Sequence, residues 1–316
     1  MFPMTALTTN AGATKSSRLL AATERSDHCL ACDGARLYYR VWEPSAENNS
    51  QPNGKTVALC DGILCEGFVW KYLRPALLNA GYRVVHWNYR GHGQSEGPRD
   101  IRTMTITHMA EDLWRVLDAA EVTQATIAGH SMGVQVCLEG YRVRPEKTQG
   151  LLLLCGTYGN VTRTFHGTDA LSLALPAMRA FTSQFPSVVR GLLARTPASL
   201  AVRVARLLGE IDAVRTREED MQPYFEHMAT MDPQVYLSLL EDAGKHSAED
   251  LLHEIVAPTL VIAAGKDSFT PPRLARQMAR TVQHGELFEV PDGTHTLPIE
   301  QPELVNEKIL QFLAKI

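Results

Sequence analysis

Gly129-His130-Ser131-Met132-Gly133 sets a serine between two glycines, G-x-S-x-G, just after the apolar run "ATIAG" and just before the helical pattern "VQVCLEGY". Strand, sharp turn and helix in that order are the setting of a nucleophile elbow. The glycines admit neighbouring backbone where a Cβ would clash, and the helix start aims free N–H groups and a positive dipole end at the serine oxygen. A serine hydroxyl is a poor nucleophile at neutral pH, so it needs a base, and the base needs an orienting acid. Asp267 in "VIAAGKDSFTPP" and His295 in "FEVPDGTHTLP" each follow a strand-like run. The carboxyl ends of strands in a parallel sheet share one edge, where all three side chains can meet. The chemistry on offer is acyl transfer through Ser131, with His295 as base and Asp267 as its orienting acid. Free histidine titrates near about 6.5, so activity is expected to rise with pH through about 6–7.

Other residues compete for these roles and fit simpler ones. His130 adjoins the serine, but neighbouring side chains diverge on a sharp turn, so it packs behind the elbow. His92 sits in the glycine-flanked turn "YRGHGQS" and reads as a structural hydrogen-bonding group. His166 faces the pocket from the helical segment but is a poor base candidate. The run "GLLLLCGTYGN" carries no carboxylate to replace Asp267, and the turn "PDG" accounts for Asp292.

The elements that must position these groups alternate along the chain. "LYYRVWEP" alternates apolar and polar residues, as an antiparallel strand does. "TVALC", "RVVHWNY", "ATIAG" and "GLLLLCG" are compact apolar runs suited to central parallel strands covered on both faces. Helical patterns lie between them, and further strands are expected in "APTLVIAAGKD" and "GELFEVPDGTH" before a last helix through "PELVNEKILQFLAKI". The pattern predicts an α/β fold with a mostly parallel, doubly wound sheet. From 160 to 255 only amphipathic helical pieces appear, which reads as a helical cap inserted between late strands. The division is therefore a poorly ordered lead-in at 1–27, a core of 28–159 and 256–316, and a cap of 160–255.

Composition narrows the class. Of 316 residues, 45% are hydrophobic and 21% charged, enough apolar matter for a full core. A net charge of −4 gives no whole-molecule attraction to nucleic acid or to anionic lipid. The first 27 residues lack the apolar stretch of a secretory signal, and "GLLLLCG" is too short to cross a bilayer, so a cytoplasmic address and no stable membrane insertion are expected. Six cysteines, among them Cys29 and Cys32 as C-x-x-C, lack a second pair or a histidine cluster and read as buried thiols in a reducing compartment.

"NYRGHGQSEGP", "GHSMG", "AAGKDSFTP" and "PDGTH", in that family's own order and spacing, resemble the marker segments of the α/β-hydrolase superfamily, in the lid-bearing branch of serine esterases and lipases. The likeness covers roughly 28–316. It implies hydrolysis of a carboxylic ester with a small to medium acyl group and no cofactor. The cap would favour such esters over bulk lipid, with apolar residues including Phe165, Leu171, Leu175, Met178, Phe181 and Phe185 divided between packing and an acyl site, and Trp70 near the entrance. A serine at the elbow separates this chain from relatives that attack through aspartate. Thioesterases, C–C bond hydrolases, lyases and acyltransferases use the same triad and stay open. A non-catalytic small-ligand receptor is the remote alternative.

By the same resemblance, the oxyanion that forms on acyl attack is held by the N–H groups of Met132 and Ile63. The second donor lies on the turn after an early strand. Relatives read His-Gly there, and this chain reads Asp61-Gly62-Ile63. A bare carboxylate aimed at the oxyanion would oppose it. Asp61 either turns away and accepts hydrogen bonds from the neighbouring loop with Arg90, which is the expected placement, or faces substrate as an acid, base or anchor.

Overall fold

The structure is a computed structural model and describes residues 23–44, 51–159, 161–164 and 168–316. Eight strands form one sheet: β1 (Thr23–Leu30), β2 (Arg36–Glu43), β3 (Thr56–Cys60), β4 (Arg83–Trp87), β5 (Ala125–His130), β6 (Thr148–Leu154), β7 (Thr259–Ala264) and β8 (Gly285–Val290). Their order is β1-β2-β4-β3-β5-β6-β7-β8. The first two strands join antiparallel, and every pairing from β4 to β8 is parallel. The mostly parallel sheet expected from the alternation is thus present, with one difference at its start. Residues 23–27, read from sequence as lead-in, pair with β2 as an exposed edge strand. Their polarity marks the sheet edge, where only one side needs a partner.

The central strands are buried throughout and send alternate side chains to opposite faces. Ala58, Leu151 and Leu153 join a core with α2 (Ile106–Ala119) and α3 (Met132–Val143). Val57, Leu59, Leu152 and Leu154 join a second core with α1 (Leu73–Asn79) and α12 (Pro302–Leu313). Each fully buried Leu or Ile contributes about 2 kcal/mol. Two closed faces therefore hold the strand ends at fixed spacing.

Between β6 and β7 run α4 (Val161–Thr164), α5 (Ala170–Gln184), α6 (Pro186–Arg195), α7 (Ala198–Leu207), α8 (Glu218–Thr230) and α9 (Pro233–Lys245). α10 (Pro272–Thr281) follows β7, and the short α11 (Leu297–Glu300) precedes α12. α9 is anchored on the core: Asp242 accepts from the Ile106 N–H at 2.7 Å, and Gln135 donates to the Ala243 carbonyl at 2.9 Å. α8 is held through Asp220, which accepts from Lys71 and from the Tyr72 hydroxyl at 2.9 Å. No helix among the described residues is long and apolar enough to cross a membrane.

Candidate active site

Ser131 stands between β5 and α3 with φ 58° and ψ −121°, a left-handed conformation that costs a non-glycine residue about 1–3 kcal/mol. Two close approaches impose it. A Cβ on Gly129 would sit 2.2 Å from the Gly133 carbonyl oxygen, and one on Gly133 would sit 2.3 Å from the Cys60 carbonyl oxygen. Both flanking positions need glycine, and the serine between them is pushed up from the sheet edge.

His295 follows β8 and reaches both partners. Its Nε2 lies 2.9 Å from Ser131 Oγ, and its Nδ1 lies 2.9 Å from Asp267 Oδ2. A carboxylate acceptor at Nδ1 places the ring proton there, leaving Nε2 to accept from the serine hydroxyl. Asp267 is 4% exposed and follows β7. It also accepts from the N–H groups of Phe269 (2.9 Å) and Thr270 (2.8 Å) and from the Thr270 hydroxyl (2.7 Å). Those donors fix the carboxylate before the histidine meets it. The topology thus brings Ser131, Asp267 and His295 to one edge from three separate loops.

The fourth loop at that edge follows β3. Gly62 and Ile63 share a cavity wall with Ser131 and His295, and a Cβ on Gly62 would come within 3.2 Å of the Ser131 Cβ. Met132 opens α3, so its N–H has no intrahelical acceptor. Asp61, by contrast, is 1% exposed and absent from the cavity wall. Its carboxylate accepts from Trp70 Nε1 at 2.7 Å and meets His86 Nε2 at 2.8 Å, while its carbonyl accepts from the Tyr89 hydroxyl at 2.8 Å. The expected turn away from the pocket is seen, with different partners. Arg90 is committed to Asp112, at 2.6 and 2.8 Å. The substrate-contact reading of Asp61 and Trp70 does not fit this placement, because both are buried outside the cavity wall, with the carboxylate shared between Trp70 and His86. Trp70 is 2% exposed and outside the cavity wall.

His130 packs where the elbow predicts, fully buried, with Nε2 2.9 Å from the His295 carbonyl oxygen. Burial and the adjacent His295 ring hold its pKa down to about 4. His92 bonds through Nδ1 to the Arg90 carbonyl at 3.1 Å, and burial lowers its pKa to about 4 as well. Burial, then the nearby Asp61 carboxylate, pushes the Cys65 thiol on the cavity wall well above its usual range, so it is no rival nucleophile. The six cysteines are free thiols; Cys32 is exposed and Cys29 only half-buried, unlike the buried thiols expected of that pair.

The cavity has a volume of about 540 Å³ and a predominantly apolar lining. Core residues Ile63, Ser131 and Phe269 form one side, and Leu200, Val204 and Met221 of α7 and α8 form much of the other. Those lining positions differ from the ones expected. Met178, Phe181 and Phe185 are exposed outside the wall, Leu175 is buried away from it, and Phe165 and His166 lie outside the described residues.

Two positioning groups escaped the sequence reading. The Glu300 carboxylate is buried and grips both neighbours of His295. It accepts from the Thr294 N–H at 2.9 Å, from the Thr296 hydroxyl at 2.7 Å and from the Thr294 hydroxyl. His86, on β4, steadies Asp61. Nothing local in "LPIEQPE" or "RVVHW" marks either residue, because each meaning arises from contacts distant along the chain.

A family model described as alpha/beta hydrolase fold matches residues 55–302. A relative named "Putative carbamate hydrolase RutD", from Azorhizobium caulinodans, is 30% identical over 78% of this chain and 87% of its own. Among solved structures, a thermophilic esterase from Thermogutta terrifontis is similar with a TM-score of 0.71 at 22% identity, covering 93% of this chain and 99% of its own. A bromoperoxidase from Bacillus anthracis has a TM-score of 0.71 at 19% identity, covering 91% and 100%. These two structures share the fold.

Proposed function

Because this chain belongs to the α/β-hydrolase family, we propose that it is a serine hydrolase cleaving carboxylic esters through an acyl-enzyme on Ser131. The observation that carries the reading is the unbroken relay of Ser131, His295 and Asp267, with both hydrogen bonds at 2.9 Å, at the floor of an apolar cavity. His295 Nε2 takes the Ser131 proton as Oγ bonds to the acyl carbon. The resulting oxyanion lies between the N–H groups of Ile63 and Met132, worth roughly 3 kcal/mol per donor. The tetrahedral intermediate expels the alcohol, which leaves with the proton from His295. Water then attacks the acyl-enzyme, the same nitrogen accepts its proton, and Ser131 is restored with release of the acid. Asp267 holds the ring in the required tautomer throughout.

The helices α4–α9 act as the cap in this reading. A 540 Å³ cavity is of the size that receives a small-molecule ligand and suits a small to medium acyl chain. The relative's printed name supports carbamate as a second scissile group, since a carbamoyl carbon meets the same serine and the same donors.

The test is hydrolysis of p-nitrophenyl esters from acetate to palmitate, alongside an alkyl carbamate and an acyl-CoA, by wild type and Ser131→Ala. Turnover of esters with a mass increase of one acyl group on Ser131 supports the proposal. Turnover of the thioester or carbamate alone would reassign the substrate. A folded wild type inert to all three would overturn acyl hydrolysis itself.

A further inference from the structure

Eleven of the sixteen large apolar side chains exposed among the described residues fall between Leu173 and Val214, which is the reach of α5–α7 and the turn after them. Monomeric proteins rarely leave so much apolar surface together without a use for it. On α7 and its last turn, Leu200, Val204, Leu207 and Leu208 recur at helical spacing along one face, and Leu207 is 86% exposed. Three of these, Leu200, Val204 and Leu208, also line the active-site cavity. The exposed stripe and the rim of the cavity are therefore the same surface.

Charge along this segment, which Asp169 and Glu210 bracket, is one-sided. Residues 170–209 contain five arginines and no lysine, aspartate or glutamate, in a chain whose net charge is −4. Glu241 answers Arg179, Asp232 answers Arg190, and Arg206 donates to the Thr216 carbonyl. Arg195 and Arg203 are exposed and have no acidic partner among the described residues. At about 0.1 M salt the field of distant acids is screened beyond roughly 10 Å, so the local excess decides what approaches this face.

We infer that α5–α7 dock reversibly on an anionic lipid surface, with the cavity mouth at α7 opening onto it. A second copy of the chain fits the same face poorly, since a two-fold contact would bring the two unanswered arginines, Arg195 and Arg203, toward their own counterparts. An anionic lipid surface supplies both complements at once, an apolar interior for the leucines and phenylalanines and phosphates for the arginines. Docking itself stands apart from the ester reading. Its consequence for substrate rests on that reading: an ester dissolved in the lipid layer enters past Leu200 and Val204 without crossing water, which extends the substrate class from water-soluble esters to lipophilic ones.

The experiment is co-sedimentation of the full chain with vesicles of phosphatidylcholine alone and of phosphatidylcholine mixed with phosphatidylglycerol. Wild type, Arg195→Glu/Arg203→Glu and Leu207→Asp are each assayed in parallel on p-nitrophenyl butyrate in solution. Wild type is expected to bind the anionic vesicles at least roughly tenfold more tightly than the neutral ones, and raised salt should weaken that binding. Both variants should lose the binding while keeping wild-type turnover in solution. Equal binding to both vesicles, or none, overturns the inference. So does light scattering that shows a dimer dissolved by Leu207→Asp, which would give the face to a second copy. Vesicle binding by a protein that turns over no ester would keep the docking surface and remove the ester reading, so the two fail separately.

Discussion

The indole N–H of Trp70 donates to the Asp61 carboxylate at 2.7 Å, within a buried cluster that His86 completes at 2.8 Å. A charge that would oppose an oxyanion is thereby spent on two donors away from the cavity. Its carbonyl is tied to Tyr89 in the same way, so the turn carrying Gly62 and Ile63 is held on both sides. Asp61 thus serves as a clamp on the turn that carries the proposed Ile63 donor.

Removing that clamp should cost stability and turnover together. Asp61→Ala strands two buried donors and is expected to lower unfolding free energy by about 3 kcal/mol. It should also lower kcat by about tenfold or more as the Ile63 N–H drifts. Asp61→Asn keeps an acceptor for Trp70 and should fall between. Urea unfolding and ester kinetics on the two variants decide it. An Asn variant that is stable yet inactive would instead make the carboxylate a participant in the chemistry.

Strain at the elbow has its own signature. Ser131→Gly and Ser131→Ala both remove the proposed nucleophile, and each should cut kcat by roughly 10⁴- to 10⁶-fold. They part in stability, because only glycine occupies φ 58°, ψ −121° without penalty. Ser131→Gly is expected to exceed Ser131→Ala by about 1 kcal/mol in urea unfolding, even though glycine is the more flexible residue in the unfolded chain. Equal stabilities would mean the turn relaxes around alanine.

Acid should destabilise the fold before the carboxylates are touched. Burial holds His92 and His130 neutral, with folded pKa values of about 4 against an unfolded value near 6.5. Between those values the unfolded chain binds more protons, so stability is fully present above about 6.5 and is lost as pH falls toward about 4. Each imidazole contributes on the order of 3 kcal/mol across that window. Urea midpoints measured from pH 7 to 4.5 should fall, and His92→Asn, which keeps a donor for the Arg90 carbonyl, should flatten the slope. An unchanged slope in that variant would remove His92 from the account.

Much of this was legible because the sequence carried local signs. Ser131 lies in a five-residue motif with required glycines, and Asp267 and His295 follow apolar runs of strand length whose carboxyl ends share one edge of a parallel sheet. The sheet followed from strand-length apolar runs without helical period. Other features were hidden for physical reasons. Residues 23–27 are polar because they form an edge, and polarity also describes a loose terminus. The cavity wall could not be drawn from "DALSLALPAMRAF", because an amphipathic helix does not state which neighbour its apolar side meets. Here α5 leaves Met178 and Phe181 exposed, while α7 and α8 supply the lining. Asp61 departed from the family pattern visibly, but its partners Trp70 and His86 lie 9 and 25 positions away.

Glu300 is another such distant group, beside the base of the proposed reaction. Its carboxylate binds the residues on both sides of His295 and also accepts from the Asp212 N–H at 3.2 Å, so it spans the histidine loop and the segment after α7. Glu300→Ala should let His295 swing off its line to Ser131, and a misplacement on the scale of 1 Å costs roughly 10²-fold in rate. The expected pattern is a fall in kcat at unchanged KM, partial recovery in Glu300→Gln, and a stability loss of about 2–3 kcal/mol from the stranded threonine donors. A residue with a purely structural role would lower stability without moving kcat of the folded enzyme at low temperature. Ester kinetics on both variants, taken well below their melting temperatures, separates the two: full kcat in folded Glu300→Ala would leave the aim of His295 to Asp267 and His130 alone.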